Sequence, residues 1–392
     1  MAYSFTVDDV AFLRSGAGEA ALSACAELPL TDRTRIADVA TAKRVVGEHY
    51  AAVLETVLLR RKAVTKVDGA DRWLFTADAL QQASASAVAR HRAKRLEGRE
   101  VHDVTCSIGA DLVELAKMAS ACTGSDLDEV RLEMARHNCA QAGIEAELFQ
   151  ADALRPRDGN AVVVADPARR DSSGRRTWKP EDFAPPLDEL AAVYRGRDLV
   201  VKCAPGLPPE VAPWADEIEL VSLDGQVREA CLWAGDAATV SRRASVLRSD
   251  GTQWTITDAE PDEVPVAPAG EWIVDPDGAV VRAGLVRHYG ARHGLWQLDA
   301  RIAYLTGDHP PPGVRAFRVL EHGPYQEKSL RAMLRRHEIG RLEILVRGLD
   351  VDPDALRRRM KLNGTSEASV VLTRIGRSPF AFLCRAEVIA PE

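Results

Sequence analysis

The chain has 392 residues, 46% of them hydrophobic and 28% charged, with 27 Gly, 21 Pro and a formal net charge of −7. That composition excludes wholesale disorder and collagen-like or low-complexity chains, and the length fits two or three domains at about 150 residues each. No apolar run reaches the roughly 18 residues that a membrane-spanning helix needs.

The first residues, MAYSFTVDDVAFLRSG, have no basic stretch followed by an apolar one, so no signal peptide is expected. Seven cysteines without a CxxC pair fit neither a disulfide framework nor a zinc knuckle. A cytoplasmic chain with reduced thiols is the expectation. Residues 301–392 carry 16 Lys/Arg against 11 Asp/Glu, a basic C-terminal stretch on an acidic chain, which is one signature of a module facing a polyanion.

Residues 1–95 read as helical and alanine-rich. Apolar positions at Ile36, Val39, Ala40, Val45, Val46, Tyr50, Val53, Leu54, Val57 and Leu58 recur at three- and four-residue spacing, an amphipathic pattern. A turn at Asp68-Gly69 and an apolar Trp73-Leu74-Phe75 follow, and then a helix with Thr76 as N-cap. From Val101 short apolar runs alternate with helical segments. The runs cover 101–106, 121–126, 145–149, 161–166, 198–203 and 217–223; the helices cover 111–119, 129–142 and 186–194. Alternation of this kind predicts a mainly parallel sheet covered on both faces. An Asp224-Gly225 turn and a strand over 227–233 add a hairpin at its edge. Residues 249–270 read as a linker with a small excursion, and 278–293 as a helix. Beyond it the order is strand (317–320), helix (326–337), strand (342–346), helix (353–361) and strands (369–374 and 381–388), a βαβαββ module.

The chemistry-bearing stretch is 101–170. The first strand runs into Asp103-Val104-Thr105-Cys106-Ser107-Ile108-Gly109-Ala110-Asp111 and then a helix. Ligands of doubly wound sheets bind beside this first strand–helix turn. Small residues at 105, 107 and 109 let a ligand approach the backbone, and the free N–H groups of the helix start favour a carboxylate. Asp103 and Asp111 repel a diphosphate and suit a zwitterion with an ammonium group. The second strand ends Gly124-Ser125-Asp126, where a carboxylate can accept both hydroxyls of a ribose. The third ends Gln150-Ala151-Asp152, placed to accept from an adenine amine, and the fourth ends Asp166-Pro167-Ala168-Arg169-Arg170-Asp171.

The order D-x-T-x-S-x-G, G-S-D, Q-A-D, D-P-A-R-R resembles the sequential motifs of class I S-adenosylmethionine (SAM)-dependent methyltransferases, with Thr105 and Ser107 in place of two glycines of the usual D/E-x-G-x-G-x-G. No GxGxxG is present, so a nicotinamide enzyme fits poorly. The resemblance implies an α/β, Rossmann-like methyltransferase domain with a parallel sheet and antiparallel hairpin, and SAM as cofactor. Asp103, Thr105, Ser107 and Gly109 would lie at the methionine end, Asp126 at the ribose, with Leu127 against adenine, and Asp152 and Ala153 at the adenine amine. Gln82 and Ser84 either face the cofactor or form a polar helix face. The whole-chain pattern, ending Arg347-Gly348-Leu349-Asp350-Val351-Asp352-Pro353-Asp354-Ala355-Leu356-Arg357-Arg358-Arg359, resembles bacterial methyltransferases with a THUMP-like C-terminal domain. It implies a helical region over 1–95, the methyltransferase domain over 96–240, a connecting segment over 241–310 and an α+β domain over 311–392. THUMP domains proper bind RNA in tRNA-modifying enzymes, so tRNA or rRNA is the partner this points to.

Asp166-Pro167 resembles the D/N-P-P-Y/F/W turn of enzymes that methylate amino groups on bases, but Ala168 and Arg169 replace Pro and the aromatic. Asp166, Pro167 and Arg169 are the catalytic candidates. Arg169 and Arg170 either stack on a base or hold phosphate, or pair with Asp171 or Glu181. Arg170, Lys202, Arg347 and Arg358 are the substrate-binding candidates; for Arg347 and Arg358, in the C-terminal module, a solvated helix surface is the alternative. Lys202-Cys203-Ala204-Pro205 also resembles the S-C-N-P segment of uracil-C5 RNA methyltransferases, in which Cys203 would attack the pyrimidine ring; a buried, inert cysteine is the alternative. The histidines show no metal-ligand spacing, and Trp272, Trp296 and Tyr304 read as core. Rival functions are methylation of a protein or small molecule, and a non-catalytic SAM- or RNA-binding protein.

Overall fold

The computed structural model of the chain describes residues 3–168 and 179–390, which divide into two compact units. The first comprises Met1–Leu223, Arg228–Thr239 and Leu247–Thr252; the second comprises Asp224–Val227, Val240–Val246 and Gln253–Glu392.

The first unit opens with α1 (Val7–Leu13), α2 (Gly16–Ala26), α3 (Arg35–Val46), α4 (Tyr50–Ala63), α5 (Ala77–Gln82) and α6 (Ser86–Arg95). Thr6 and Asp9 form a capping box on α1, and Thr76, which follows the apolar Trp73-Leu74-Phe75, caps α5 through the N–H of Ala79 as the sequence predicts. The long amphipathic stripe is divided where the chain turns at 47–49. Ile36 and Val45, counted into the stripe, are 89% and 59% exposed, while α4 buries Val53, Leu54, Val57 and Leu59. The buried side chains of α1, α2 and α4 form one core with Trp73, Leu74, Phe75, Ile108, Leu112 and Leu132.

β1 (Glu100–Asp103), α7 (Ala110–Met118), β2 (Ala121–Asp126), α8 (Glu129–Gln141), β3 (Glu147–Gln150), β4 (Val162–Ala165), α9 (Leu187–Val193), β5 (Leu199–Cys203), β6 (Glu217–Leu223) and β7 (Gln226–Ala234) follow. Their strands lie in the order β3-β2-β1-β4-β5-β7-β6. The first five are parallel and β7 runs antiparallel to β5. Asp224 and Gly225, at φ 51° and 74°, make the two-residue turn between β6 and β7 that their identities predict. The chain moves one way from β1 to β3 and the other way from β4, so a crevice opens at the carboxyl ends of β1 and β4.

The second unit contains β8 (Arg242–Leu247), most of which belongs to it, β9 (Gln253–Thr257), β10 (Trp272–Val274), α10 (Gly278–Arg282), α11 (Val286–Arg292), β11 (Trp296–Gln297), β12 (Leu305–Gly307), β13 (Arg315–Pro324), α12 (Glu327–Arg336), β14 (Ile339–Val346), α13 (Pro353–Met360), β15 (Ser366–Ile375) and β16 (Ser378–Val388). β9 lies within the stretch read as a linker. The single helix expected over 278–293 is two, because Gly284 takes φ 70° between α10 and α11 and stops the first. The sheet order is β11-β12-β10-β13-β16-β15-β14, antiparallel except for β14 beside β15. The βαβαββ order of the C-terminal module is as the sequence predicts, and α12 and α13 bury Leu330, Met333, Leu334, Leu356 and Met360 against it. β13 is longer than the run 317–320 because exposed Arg318, Leu320 and His322 alternate with half-buried Val319, Glu321 and Gly323, a mixed pattern that hides the strand from a search for apolar runs. Among the described residues no helix is long and apolar enough to cross a membrane.

Candidate active site

A cavity of about 550 Å³ occupies the crevice of the first unit. Its described lining includes Gln82, Asp103, Thr105, Ser107, Asp126, Leu127, Asp152, Ala153, Asp166 and Lys202, so ten sequence-predicted residues converge on one space. Gly109 acts from behind: at φ 83° it caps α7 and turns the chain into the helix, a conformation costly for residues with a Cβ.

The loop after β1 is tied to its neighbours through its small residues. The N–H of Ser107, itself at φ 51°, donates to Asp126 Oδ2 at 2.9 Å. The N–H of Asp128 donates to Asp126 Oδ1 at 2.9 Å. The Thr105 hydroxyl oxygen accepts from the Asp166 N–H at 2.6 Å, binding this loop to the end of β4. Thr105 and Ser107 therefore do more than take up little room. Asn138, fully buried on α8, accepts from the Leu74 N–H at 2.8 Å and donates to the carbonyls of Leu74 and Ile108 at 3.0 and 2.9 Å. It fixes the same loop from the helix side. Sequence reasoning passed over it, since a polar residue in mid-helix carries no signal of its own.

Asp103 is 3% exposed and its carboxylate accepts one hydrogen bond, from the Thr105 N–H at 3.2 Å. Among the described residues it has no ion pair. Burial, with the carboxylates of Asp111, Asp166 and Asp126 nearby, pushes its pKa up to about 8. Burial also raises Asp126. Asp111 behaves oppositely: burial opposes its charge, but Lys202 and Arg92 hold it well below the usual carboxylate range. The two aspartates read together from the sequence thus part company, one neutralised by the protein and one left for a ligand. Six aspartates and three cations are among the cavity's described lining, a negative excess suited to a cationic ligand. The unpaired Asp103 fits an ammonium, the doubly held Asp126 fits a pair of hydroxyls, and Leu127, 66% exposed at the rim, fits a flat ring. Asp152 Oδ1 accepts from the Leu154 N–H at 2.9 Å, and the Ala153 carbonyl accepts from the Tyr194 hydroxyl at 2.8 Å.

Asp166 faces the cavity with its side chain 31% exposed and its Oδ2 2.5 Å from Lys202 Nζ. Lys202, expected to bind substrate, is buried and also bonded to the Gln82 carbonyl and the Ser84 hydroxyl at 3.3 Å each. Cys203 is buried and does not line the cavity, as alternation along β5 requires once Lys202 does. Ser84 is not among the lining residues; its hydroxyl donates to Glu229 at 3.0 Å. Arg169 and Arg170 lie outside the described residues. In the second unit Arg347 pairs with Asp275 at 2.7 Å and lies over the Tyr304 ring, so it is no free phosphate ligand. Arg358 stands exposed on α13. Among the described residues no group of three or more His, Cys, Asp or Glu is placed to hold a metal ion.

The chain is similar to known proteins over most of its length. The THUMP domain-like family matches residues 314–386, and a domain of unknown function matches residues 6–63. An uncharacterized SAM-dependent methyltransferase of Mycobacterium tuberculosis, recorded in the strains CDC 1551 / Oshkosh and H37Rv, is 54% identical, over 86% of this chain and 98% of the relative. A crystal structure from Porphyromonas gingivalis W83, described as that of a proposed methyltransferase, superposes with a TM-score of 0.74 at 18% identity, covering 98% of this chain and 99% of that one. With the strand order and the negative cleft, these matches establish that the chain belongs to the SAM-dependent methyltransferases, with a class I Rossmann-like domain, SAM as its cofactor and a THUMP-like module at its C-terminal end.

Proposed function

We propose that the chain transfers the methyl group of SAM to a nitrogen of an RNA base, with Asp166 and Pro167 at the point of transfer. The observation that carries the RNA reading is the THUMP domain-like match over residues 314–386, within the basic C-terminal stretch of the chain. THUMP domains proper are RNA-binding modules; Arg358, exposed on α13, is the side chain we assign to phosphate.

When bound, SAM supplies a methyl group made electrophilic by its sulfonium. Asp103 receives the ammonium of the methionine end. Asp126, held by the N–H groups of Ser107 and Asp128, accepts from the ribose hydroxyls. Asp152 takes the adenine amine and Leu127 packs on the ring. The nucleophile is a neutral nitrogen, which needs acceptors for its N–H groups and alignment with the methyl more than it needs a covalent partner. Asp166 Oδ1, which makes no hydrogen bond among the described residues, and the carbonyls of the Asp166-Pro167 turn supply those acceptors. The carboxylate is held through Oδ2 by Lys202 and its N–H by Thr105. A covalent route through Cys203 finds no support in a side chain that does not line the cavity.

The test is transfer of tritium from labelled SAM into total RNA of a strain lacking this gene, with nuclease and protease controls. Nuclease-sensitive label is expected. Label that only protease removes, or that resides in a small molecule, overturns the RNA reading.

A further inference from the structure

Beneath the cavity lies a group of charges that methyl transfer as described does not use directly. Arg92 on α6 bonds Asp111 through one terminal nitrogen and Glu229 on β7 through the other. Glu229 accepts from Ser84 at 3.0 Å, and Lys202 Nζ contacts Ser84 Oγ at 3.3 Å and Asp111 Oδ2 at 3.5 Å. Lys202, Asp111, Arg92, Glu229 and Ser84 therefore close a ring, all five within the first unit, four of them buried and Asp111 half-buried. Arg92, Asp111 and Lys202 of the ring line the cavity, and the Lys202 ammonium contacts Asp166 there, at 2.5 Å from Oδ2.

The segment above the cavity is held by the same device. Lys66 Nζ donates to the carbonyls of Leu80 and Gln81 at 2.8 and 3.1 Å, and Lys202 Nζ to that of Gln82 at 3.3 Å. Two ammonium groups thus take the last carbonyls of α5, where a helix leaves its acceptors unsatisfied and its dipole negative. Ala79, Gln82 and Ala83 of this segment line the cavity. Lys202 touches the segment over the cavity, the start of α7 and the acceptor side of the methyl-transfer turn at once.

We propose that Lys202 is a positioning residue for methyl transfer: tethered by the buried ring, its ammonium grips Asp166 Oδ2 and turns Oδ1 toward the nitrogen to be methylated. The inference rests on Asp166 as the acceptor-facing group. Lys202 does not bind the substrate on this reading; its donors are spent on Asp166, Asp111, Gln82 and Ser84. Burial would discharge a lone lysine, yet Asp166, Asp111 and Glu229 hold Lys202 above the ordinary lysine range in spite of Arg92. Asp166 lies in the reverse balance. Burial, Asp111 and Glu229 raise it, and Lys202 is the cation that opposes them. Lys66 faces the same cluster and is itself lowered by burial and by Lys202 and Arg228. Without the Lys202 charge, the balance at Asp166 shifts further toward the protonated form, which presents a donor to an amine that needs an acceptor.

The test separates this from the identity of the acceptor. Carbon-13 NMR of aspartate-labelled protein, with the Asp166 signal assigned by its absence in Asp166→Asn, follows the carboxyl titration with no substrate present. In Lys202→Met the Asp166 midpoint is expected to move up by about 1–3 pH units, the effect of losing an opposite charge in contact. Lys202→Arg is expected to restore most of that shift. An unchanged Asp166 titration in Lys202→Met overturns the proposal, whatever molecule is methylated. Where Lys202→Met fails to fold, the reciprocal measurement serves: Asp166→Asn should lower the Lys202 midpoint read from its 13Cε resonance, and an unmoved midpoint is equally fatal. If RNA label is absent while these titrations couple, the RNA reading fails and the positioning role stands. With an active acceptor in hand, Lys202→Met should lower kcat at least tenfold with the acceptor KM little changed, whereas a substrate-binding lysine would raise KM.

Discussion

At the scale of single residues, the balance between Asp103 and Asp111 decides the chemistry of the cleft. A buried carboxylate without a cation is an expensive group to keep, and Asp103 has its pKa pushed up to about 8 by burial and by its acidic neighbours. The folded, cofactor-free protein therefore binds a proton at Asp103 more tightly than the unfolded chain does. This group's contribution to stability falls as pH rises from about 4 toward 8. Asp103→Asn should accordingly raise the Tm of the cofactor-free protein, by more at pH 8 than at pH 5, and stabilise it by about 1–3 kcal/mol near neutrality. The same substitution should weaken SAM binding. At pH 6.5, SAM binding to the wild type should release about one proton, since α-amino groups with pKa values of about 7.7–8.0 are still protonated there. Calorimetry in buffers of different ionisation enthalpy reads that proton, and its persistence in Asp103→Asn would remove Asp103 from the ammonium site. Asp126→Ala should cost SAM binding about 1–3 kcal/mol, because the N–H groups of Ser107 and Asp128 lose their acceptor along with the ribose.

At the scale of elements, the loop after β1 is held by groups on three others: Asn138 on α8, Asp126 at the end of β2 and the Asp166 N–H beyond β4. Asn138→Leu keeps the volume of a buried side chain but strands the Leu74 N–H and the carbonyls of Leu74 and Ile108. A loss of about 3 kcal/mol or more is expected in denaturant unfolding, with SAM affinity falling too because Ile108 belongs to the cofactor loop. Much of this region was legible in the sequence. Aspartates at successive strand ends are local signals, and a doubly wound sheet gathers strand ends on one side whatever the details between them. Thr105 and Ser107 were legible as small residues but not as hydrogen-bonding ones, since their partners, Asp166 and Asp126, come from distant strands. The ring of Arg92, Asp111, Glu229, Ser84 and Lys202 was hidden for the same reason: its members come from five separate stretches, and only packing brings them together. Lys202, a substrate-binding candidate from the sequence, is buried beside Asp111 and Asp166, a setting that only the fold shows. Arg347 changed meaning in the same way once Asp275 and Tyr304 were beside it.

At the scale of the whole molecule, an acidic methyltransferase unit and a basic C-terminal module share one chain, and the division of charge has a measurable consequence. The cleft must attract a sulfonium, whereas RNA contact must come from cations outside it. Methylation of RNA should therefore lose affinity steeply with added salt while SAM affinity hardly changes. Arg358→Ala should reduce the slope of log affinity for RNA against log salt by about one, without altering SAM binding; an unchanged slope would take Arg358 out of the phosphate contacts. The measurement that bears most directly on the site is methyl transfer by wild type and Asp166→Asn at saturating SAM, with SAM affinity determined on the same preparations. Affinity within twofold and transfer lower by about 10²–10⁴-fold, the range of a positioned proton acceptor, is the expected result. Transfer by Asp166→Asn at the wild-type rate would contradict the placement of the chemistry at the end of β4.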